Sequence, residues 1–282
     1  FAAANPYGPF PEANPTYFNL FAGVSAVTII SNLAWGLGYM GQPHIITRFM
    51  ALRSPAEAAS ARRPGTLWVT LCYIGAIFTA LVATVFFTQT GAQVTDPNGE
   101  TIFLDMTRVL FHPLVAGIVL TAVLAAIMST MSSQLLITSS ALIEDLYRVL
   151  GKRQLAGERL LLLSRAMVVL IALVAIALAA NPSDTILGLV GFAWAGFGAA
   201  FGPVVIASLY WKRLTSQGAI AGMIVGAVTS FVWGSVDALS GIIYEIVPGV
   251  ILATLAMVVV SLATRPKEGV AEEFDTATAA TD

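Results

Sequence analysis

Two stretches of this 282-residue chain gather residue types that can hold a small ligand or an ion. The first reads Ser31-Asn32-Leu33-Ala34-Trp35-Gly36-Leu37-Gly38-Tyr39-Met40-Gly41-Gln42-Pro43-His44. Gly36, Gly38, Gly41 and Pro43 crowd into one short run, which cannot remain a regular helix without cost, because proline removes a backbone donor and glycine favours coil. An unwound stretch is expected there. Trp35 and Tyr39 are four apart, so wherever helix persists their rings share a face and can flank a small apolar ligand. Plain packing or interfacial placement is the competing use of such rings. Gln42 and His44 either line a polar site or satisfy backbone groups that the break sets free.

The second stretch runs from Ala126 through Ser129, Thr130, Ser132, Ser133 and Gln134 to Thr138, Ser139 and Ser140. In an aqueous helix this would be a surface, but in a membrane it must face protein or a pore. Hydroxyls can fasten one helix to another. They also supply neutral oxygen ligands, and a hard cation such as sodium takes several oxygens. Ser129 and Thr130 project about 100° apart on an ideal helix, and the Ala126 carbonyl lies one turn earlier near the same patch. A three-oxygen half-site is feasible, and spacing alone leaves ligation and packing both open.

The elements that must position these residues are membrane spans. Hydrophobic residues make up 57% of the chain and charged residues 11%, against roughly 25% charged in soluble domains. Length therefore counts spans instead of soluble domains, and the expected fold class is all-α, a polytopic membrane helix bundle. A spanning helix needs about 20 mostly apolar residues, and seven segments qualify. The first, Phe18 to Phe49, contains the interruption. The others lie near Leu67 to Thr88, Pro113 to Ser140, Leu160 to Ala180, Ile186 to Trp211, Ala219 to Val236 and Ile242 to Thr264. Backbone without partners survives at membrane depth only where protein or a polar cavity covers it, which is how discontinuous transporter helices build binding sites. The interruption in the first segment thus marks a candidate site.

Basic residues orient the spans, since cytoplasmic loops are enriched in Lys and Arg. Arg48, Arg53, Arg62, Arg63, Arg148, Lys152, Arg153, Arg159, Arg165, Lys212, Arg213, Arg265 and Lys267 all fall on one side, and of the 14 basic residues only Arg108 lies opposite. Residues 1–17 are then external. Residues 265–282 form a cytoplasmic tail, polar and acidic, expected to be disordered. The opening from Phe1 lacks the basic and apolar regions of a signal peptide, and an upstream part is expected.

Other signals carry less. A net charge of -2 without a basic stripe excludes nucleic acid as the natural partner. Gly36-x-Gly38-x-x-Gly41 matches the dinucleotide fingerprint in letters, but that motif needs a preceding strand and a soluble helix, and here it sits inside an apolar span. Cys72, the sole cysteine, permits neither a disulfide nor a cysteine metal cluster and reads as a core residue. Gly198-x-x-x-Gly202, Gly218-x-x-x-Gly222 and Gly222-x-x-x-Gly226 permit close helix packing. His112 reads as interfacial, and Glu144, Asp145 and Arg148 as a solvated helix end. A nucleophile with its base, or a metal cluster, is not evident inside the spans, so an intramembrane enzyme is disfavoured, and the broken first span and polar third one fit a heptahelical receptor poorly.

The run from Trp35 to His44 followed by Arg48-Phe49-Met50, the run Ala126-Ile127-Met128-Ser129-Thr130, Ser140 through Tyr147, Ala193 through Pro203, and Tyr244 through Gly249 together resemble the sodium/proline branch of the sodium:solute symporter family. The resemblance covers nearly the whole chain. It implies part of a LeuT-type inverted-repeat fold, the last seven of thirteen spans, in the bacterial cytoplasmic (inner) membrane. It further implies symport of proline with sodium ion as the co-transported cation, Trp35, Tyr39 and Pro43 at the substrate, and the Ala126 carbonyl with the Ser129 and Thr130 hydroxyls at sodium. The remaining sodium ligands would come from an upstream broken helix, so N-terminal spans join proline, sodium and the lipid bilayer as partners. The alternatives are sodium-coupled symport of another small solute, or the symporter-like input module of a sensor protein, for whose kinase the short tail leaves no room.

Overall fold

The computed structural model describes residues 19, 21–96, 98–143, 158–180, 185–267 and 269–279. The expected external segment 1–17 and the expected solvated group Glu144, Asp145 and Arg148 lie outside these residues, as do Lys152 and Arg153. The elements described are helical: α1 Ala26–Gly38, a 3-10 turn Tyr39–Gly41, α2 Pro43–Met50, α3 Pro55–Thr90, α4 Ile102–Leu110, α5 Pro113–Ser140, α6 Glu158–Ala179, α7 Ile186–Tyr210, α8 Ser216–Ser235, α9 Asp237–Ser240, α10 Ile246–Ala263 and α11 Val270–Ala279. Among the described residues six helices are long and apolar enough to cross a membrane. The chain is a multi-pass membrane protein.

The first expected segment, Phe18 to Phe49, holds thirteen residues of α1, three of the 3-10 turn and eight of α2. The physical reason for the division is Pro43, which opens α2 as its first helical residue, a place where a missing N–H costs nothing. The tail expected to be disordered carries helix α11. Ala and Glu, prominent in it, are strong helix formers, Thr276 donates to the Glu272 carbonyl, and the Lys212 ammonium donates to the Asp275 carboxylate. Composition of a polar tail does not separate disorder from a short helix that finds an anchor.

Helix starts follow local chemistry. The Ser25, Thr185 and Thr215 side chains accept from the Thr28, Gly188 and Gly218 amides at 3.1 Å, capping α1, α7 and α8. α3 begins well before the expected Leu67. Ser54 Oγ accepts from the Glu57 amide, the Glu57 carboxylate accepts from the Arg53 amide, and the helix continues through Pro64.

The chain divides into two compact units, residues 23–58 with 183–282, and residues 1–22 with 59–182. In the first unit α7, α8 and α10 pack on one another, and α1 with the 3-10 turn packs on α7. Its core is Ala34, Ala195 and Ile246, with Trp194, Tyr244, Val247 and Val250 against them. The buried faces are small: Gly191, Ala195, Gly198, Ala199 and Gly202 on α7, and Gly218, Gly222, Gly226 and Ser230 at four-residue intervals on α8. A Cβ at Gly218 would overlap Ser261, and one at Gly226 would overlap the Ala199 carbonyl. The packing role expected of these spacings is what the structure has. In the second unit α5 packs on α4 and α6, and Ala83 and Phe87 of α3 meet Met106 of α4.

Candidate functional site

The interruption lies in the first unit. α1 ends at Gly38, the 3-10 turn carries the chain to Gly41, and Gln42 alone is extended, with φ -83° and ψ 114°. The break is thus tighter than the unwound stretch expected. Its glycines serve closeness more than backbone freedom, for none has a positive φ. A Cβ at Gly38 would overlap the Trp194 indole, and one at Gly41 would overlap the Phe197 carbonyl, whereas Gly36 faces open space. Helix α7 therefore presses directly on the interrupted backbone and covers it, the condition that membrane depth imposes.

Trp35 and Tyr39 do share a face, and one neighbour shows it. The Trp35 ring stacks on Trp194 at 5.5 Å between centroids, and the Tyr39 ring meets Trp194 edge-on at 4.8 Å. Trp35 also stacks on Tyr244 at 6.0 Å, so its indole belongs to a ladder of three rings. Tyr39 keeps 41% of its surface exposed and is the more accessible of the pair. Pro43 and His44 are half-buried at the start of α2. Gln42 is buried, and its Nε2 donates to the Trp194 carbonyl at 3.2 Å. That acceptor lies within α7 and is not one of the backbone groups at the break that Gln42 was expected to satisfy.

Sequence reasoning gave no role to Trp194, Tyr244 or Ser31. The Trp194 indole donates to the Trp35 carbonyl at 2.9 Å, the Tyr244 hydroxyl donates to the Gly191 carbonyl at 2.7 Å, and the Tyr244 amide donates to Ser31 Oγ at 3.2 Å. These bonds tie α1 to α7 and to the turn before α10. For Trp194 the available signal was a large aromatic with a polar tip flanked by Ala193, Ala195 and Gly196, since such tips take a partner when buried.

The hydroxyl run lies in the second unit, on α5, where helix geometry brings the expected oxygens together. Ser129 Oγ donates to the Ala126 carbonyl at 2.8 Å and Thr130 Oγ1 donates to the same carbonyl at 3.4 Å. A hydroxyl whose proton is held by a carbonyl keeps its lone pairs free to accept or to ligate. All three residues are exposed. Ser133 Oγ likewise donates to the Ser129 carbonyl at 2.9 Å. The patch is therefore a set of neutral oxygens on one helical turn.

Outside the spans, the chain between α3 and α4 is gathered by Asp105, which is 5% exposed. Its carboxylate accepts from the Thr95 amide at 2.9 Å, the Thr95 hydroxyl at 2.7 Å and the Thr101 hydroxyl at 2.8 Å. Burial pushes the carboxyl up, but the bonds from Thr95 and Thr101 and the nearby Arg108 guanidinium outweigh it and hold the carboxyl below its ordinary value. This cluster organises a loop, with both carboxylate oxygens engaged within it.

The sequence model described as the sodium:solute symporter family matches residues 12–226. The chain is 49% identical to the high-affinity proline transporter PutP of Bacillus subtilis over 94% of its own length and 55% of that protein's. It is 48% identical to the osmoregulated proline transporter OpuE of Bacillus subtilis, over 89% of this chain and 51% of the relative. It is 47% identical to the sodium/proline symporter of Escherichia coli, over 86% of this chain and 49% of the relative. No solved structure matches. The chain spans about half the length of the curated relatives it matches. With the match extending across the interrupted helix and the hydroxyl helix alike, the chain belongs to the sodium:solute symporter family.

Proposed function

We propose that this chain takes part in sodium-coupled symport of proline across the bacterial cytoplasmic membrane. The observation that carries the reading is the aromatic pair Trp35 and Tyr39 on one face of a helix interrupted at Gly38 to Gln42, within a chain whose relatives are named proline transporters. An apolar pyrrolidine ring suits an aromatic wall with few polar groups. Tyr39 supplies an accessible ring and hydroxyl, Trp35 the stacked wall behind it, and Pro43 the change of direction that ends the wall.

In this reading Ser129, Thr130 and the Ala126 carbonyl give sodium one side of its coordination. The hydroxyl protons lie on a carbonyl, so both hydroxyl oxygens can turn lone pairs outward. Three neutral oxygens on one turn are too few to strip a sodium ion of its water, and the remaining ligands come from other spans. This reading assigns the remaining ligands to spans N-terminal to those described here. The chain lies with residues 62 and 267 in the cytoplasm and residue 98 outside, as the distribution of basic residues requires. Membrane-impermeant labelling of single cysteines at these positions, in a Cys72→Ser background, reads that orientation directly.

The deciding experiment is uptake of labelled proline by cells without transport of their own that express the full-length protein. Saturable uptake that follows the sodium gradient is the expected result. Uptake that ignores sodium, or sodium-driven uptake of another solute with none of proline, would overturn the reading.

A further inference from the structure

The interrupted segment is not held by its own helix alone. Trp194, on α7, meets it in four ways: its ring stacks on Trp35, its ring meets Tyr39 edge-on, its indole N–H donates to the Trp35 carbonyl, and its own carbonyl accepts from Gln42. The Trp35 carbonyl belongs to the last turn of α1, where a helix end leaves carbonyls short of their usual donors. An indole N–H is a donor only, so its direction fixes the ring. The two bonds fall on either side of the break, one at position 35 and one at position 42, with Tyr39 between them. Gly38 rests against the same indole, too close for any Cβ. The Trp194 side chain thus sets the Trp35 end of the interruption and the edge against which the Tyr39 ring leans, and the backbone of the same residue holds the Gln42 end.

We propose that Trp194 is a positioning residue for substrate binding: it holds the Trp35 and Tyr39 rings in the spacing that receives proline without itself bonding the substrate. This inference rests on the reading of Trp35 and Tyr39 as the substrate wall. It also assigns Gln42 a supporting part, since that amide ties the far end of the break to the Trp194 backbone.

Trp194→Phe separates the parts, because it keeps a ring for stacking and removes the indole donor. The test is labelled-proline uptake by the full-length protein carrying Trp194→Phe, with KM for proline, Vmax per transporter and the half-saturating sodium concentration measured together. The expected result is a KM for proline raised about three- to tenfold, the cost of a hydrogen bond of ordinary strength, with Vmax and sodium half-saturation within about twofold of the parent. KM does not depend on how much protein reaches the membrane, so reduced abundance leaves the readout intact. An unchanged KM, an equal shift in proline and sodium parameters, or complete loss of uptake would overturn the proposal, the last because the retained ring should preserve transport. Tyr39→Ala in the same assay tells the two failures apart. If Tyr39→Ala raises KM and Trp194→Phe does not, positioning by Trp194 is wrong and the substrate wall stands; if Tyr39→Ala leaves KM unchanged, the wall itself is wrong.

Discussion

The two units of this protein solve the membrane problem in opposite ways. Of the most apolar 18 residues of each helix, 39% are buried in α7, 28% in α10 and 22% in α8, against 6% in α3 and in α5 and none in α6. The first unit faces its helices with glycine, alanine and serine, so that backbones approach and polar tips such as Trp194 reach carbonyls on another helix. The second unit leaves Leu67, Trp68 and Leu71 of α3, Ile118 and Leu124 of α5 and Leu162 and Leu173 of α6 exposed, which lipid tails or further apolar helices would cover. The difference teaches that equal hydropathy does not mean equal packing. Between apolar helices in lipid the hydrophobic effect adds little, and close approach of small residues decides which helices hold together. Each proposed site takes the character of its unit, a cross-braced aromatic ladder in one and an accessible oxygen patch on a single helix in the other.

The sharpest way to break this comparison is to put the same substitution into both units. Gly226→Leu drives a side chain into the Ala199 carbonyl, whereas Gly117→Leu on α5 meets open space. Overpacking of this kind costs about 1–3 kcal/mol or more, so Gly226→Leu should lower the yield of monodisperse protein severalfold and its midpoint of thermal unfolding clearly, while Gly117→Leu leaves both near the parent. Equal behaviour of the two variants would show that the close packing of the first unit does not govern its stability.

The oxygen patch is next in size. Because its hydroxyls bond only within α5, their removal should disturb the ion far more than the fold. Ser129→Ala or Thr130→Ala is expected to weaken apparent sodium affinity by about five- to a hundredfold, corresponding to roughly 1–3 kcal/mol for a lost polar partner, with protein abundance little changed. Sodium titration of proline uptake reads this, and an unaltered sodium dependence in both variants would leave packing as the use of the patch.

The aromatic ladder should behave in the reverse sense. Tyr39→Ala is expected to raise KM for proline by about tenfold, equivalent to roughly 1.4 kcal/mol, while sodium half-saturation stays near the parent. Tyr39→Phe, which keeps the ring that leans on Trp194, should shift KM less. Trp35→Ala should shift it too, and should also lower stability, because that ring supports Trp194 and Tyr244. Parental proline kinetics in Tyr39→Ala would remove the proposed wall.

The smallest effect is local to the second unit and lies outside its spans. The Asp105 carboxyl titrates below its unfolded value, so its contribution to loop order is fully present above the ordinary carboxylate range near pH 4. It is lost as pH falls through the lower folded value. Amide exchange at Thr95 should therefore stay slow at pH 5 once corrected for intrinsic rates, and should speed up by about tenfold in Asp105→Asn, where the charge-assisted bond is gone. Equal protection in parent and variant at pH 5 would show that the loop is ordered by something other than this carboxylate.

Much of this architecture was legible along the chain because its causes are local. Hydropathy over a span-length window locates α3, α5, α6, α7, α8 and α10, glycine and proline near Pro43 place the break, and the spacing 126, 129, 130 brings three oxygens to one turn by helix geometry alone. Trp35 and Tyr39 share a face for the same reason. Helix α11 in the tail was not legible, because helix and disorder share a polar composition and the partner Lys212 lies 63 residues from Asp275. What only the tertiary structure decided is which partners the break would find. The Trp194 indole reaches a carbonyl 159 residues distant, Gln42 reaches across 152 and Tyr244 across 213. Such pairs depend on which small-residue faces come close enough for a side chain to bridge two backbones. That closeness belongs to the packed helices together, and no window along the chain contains it.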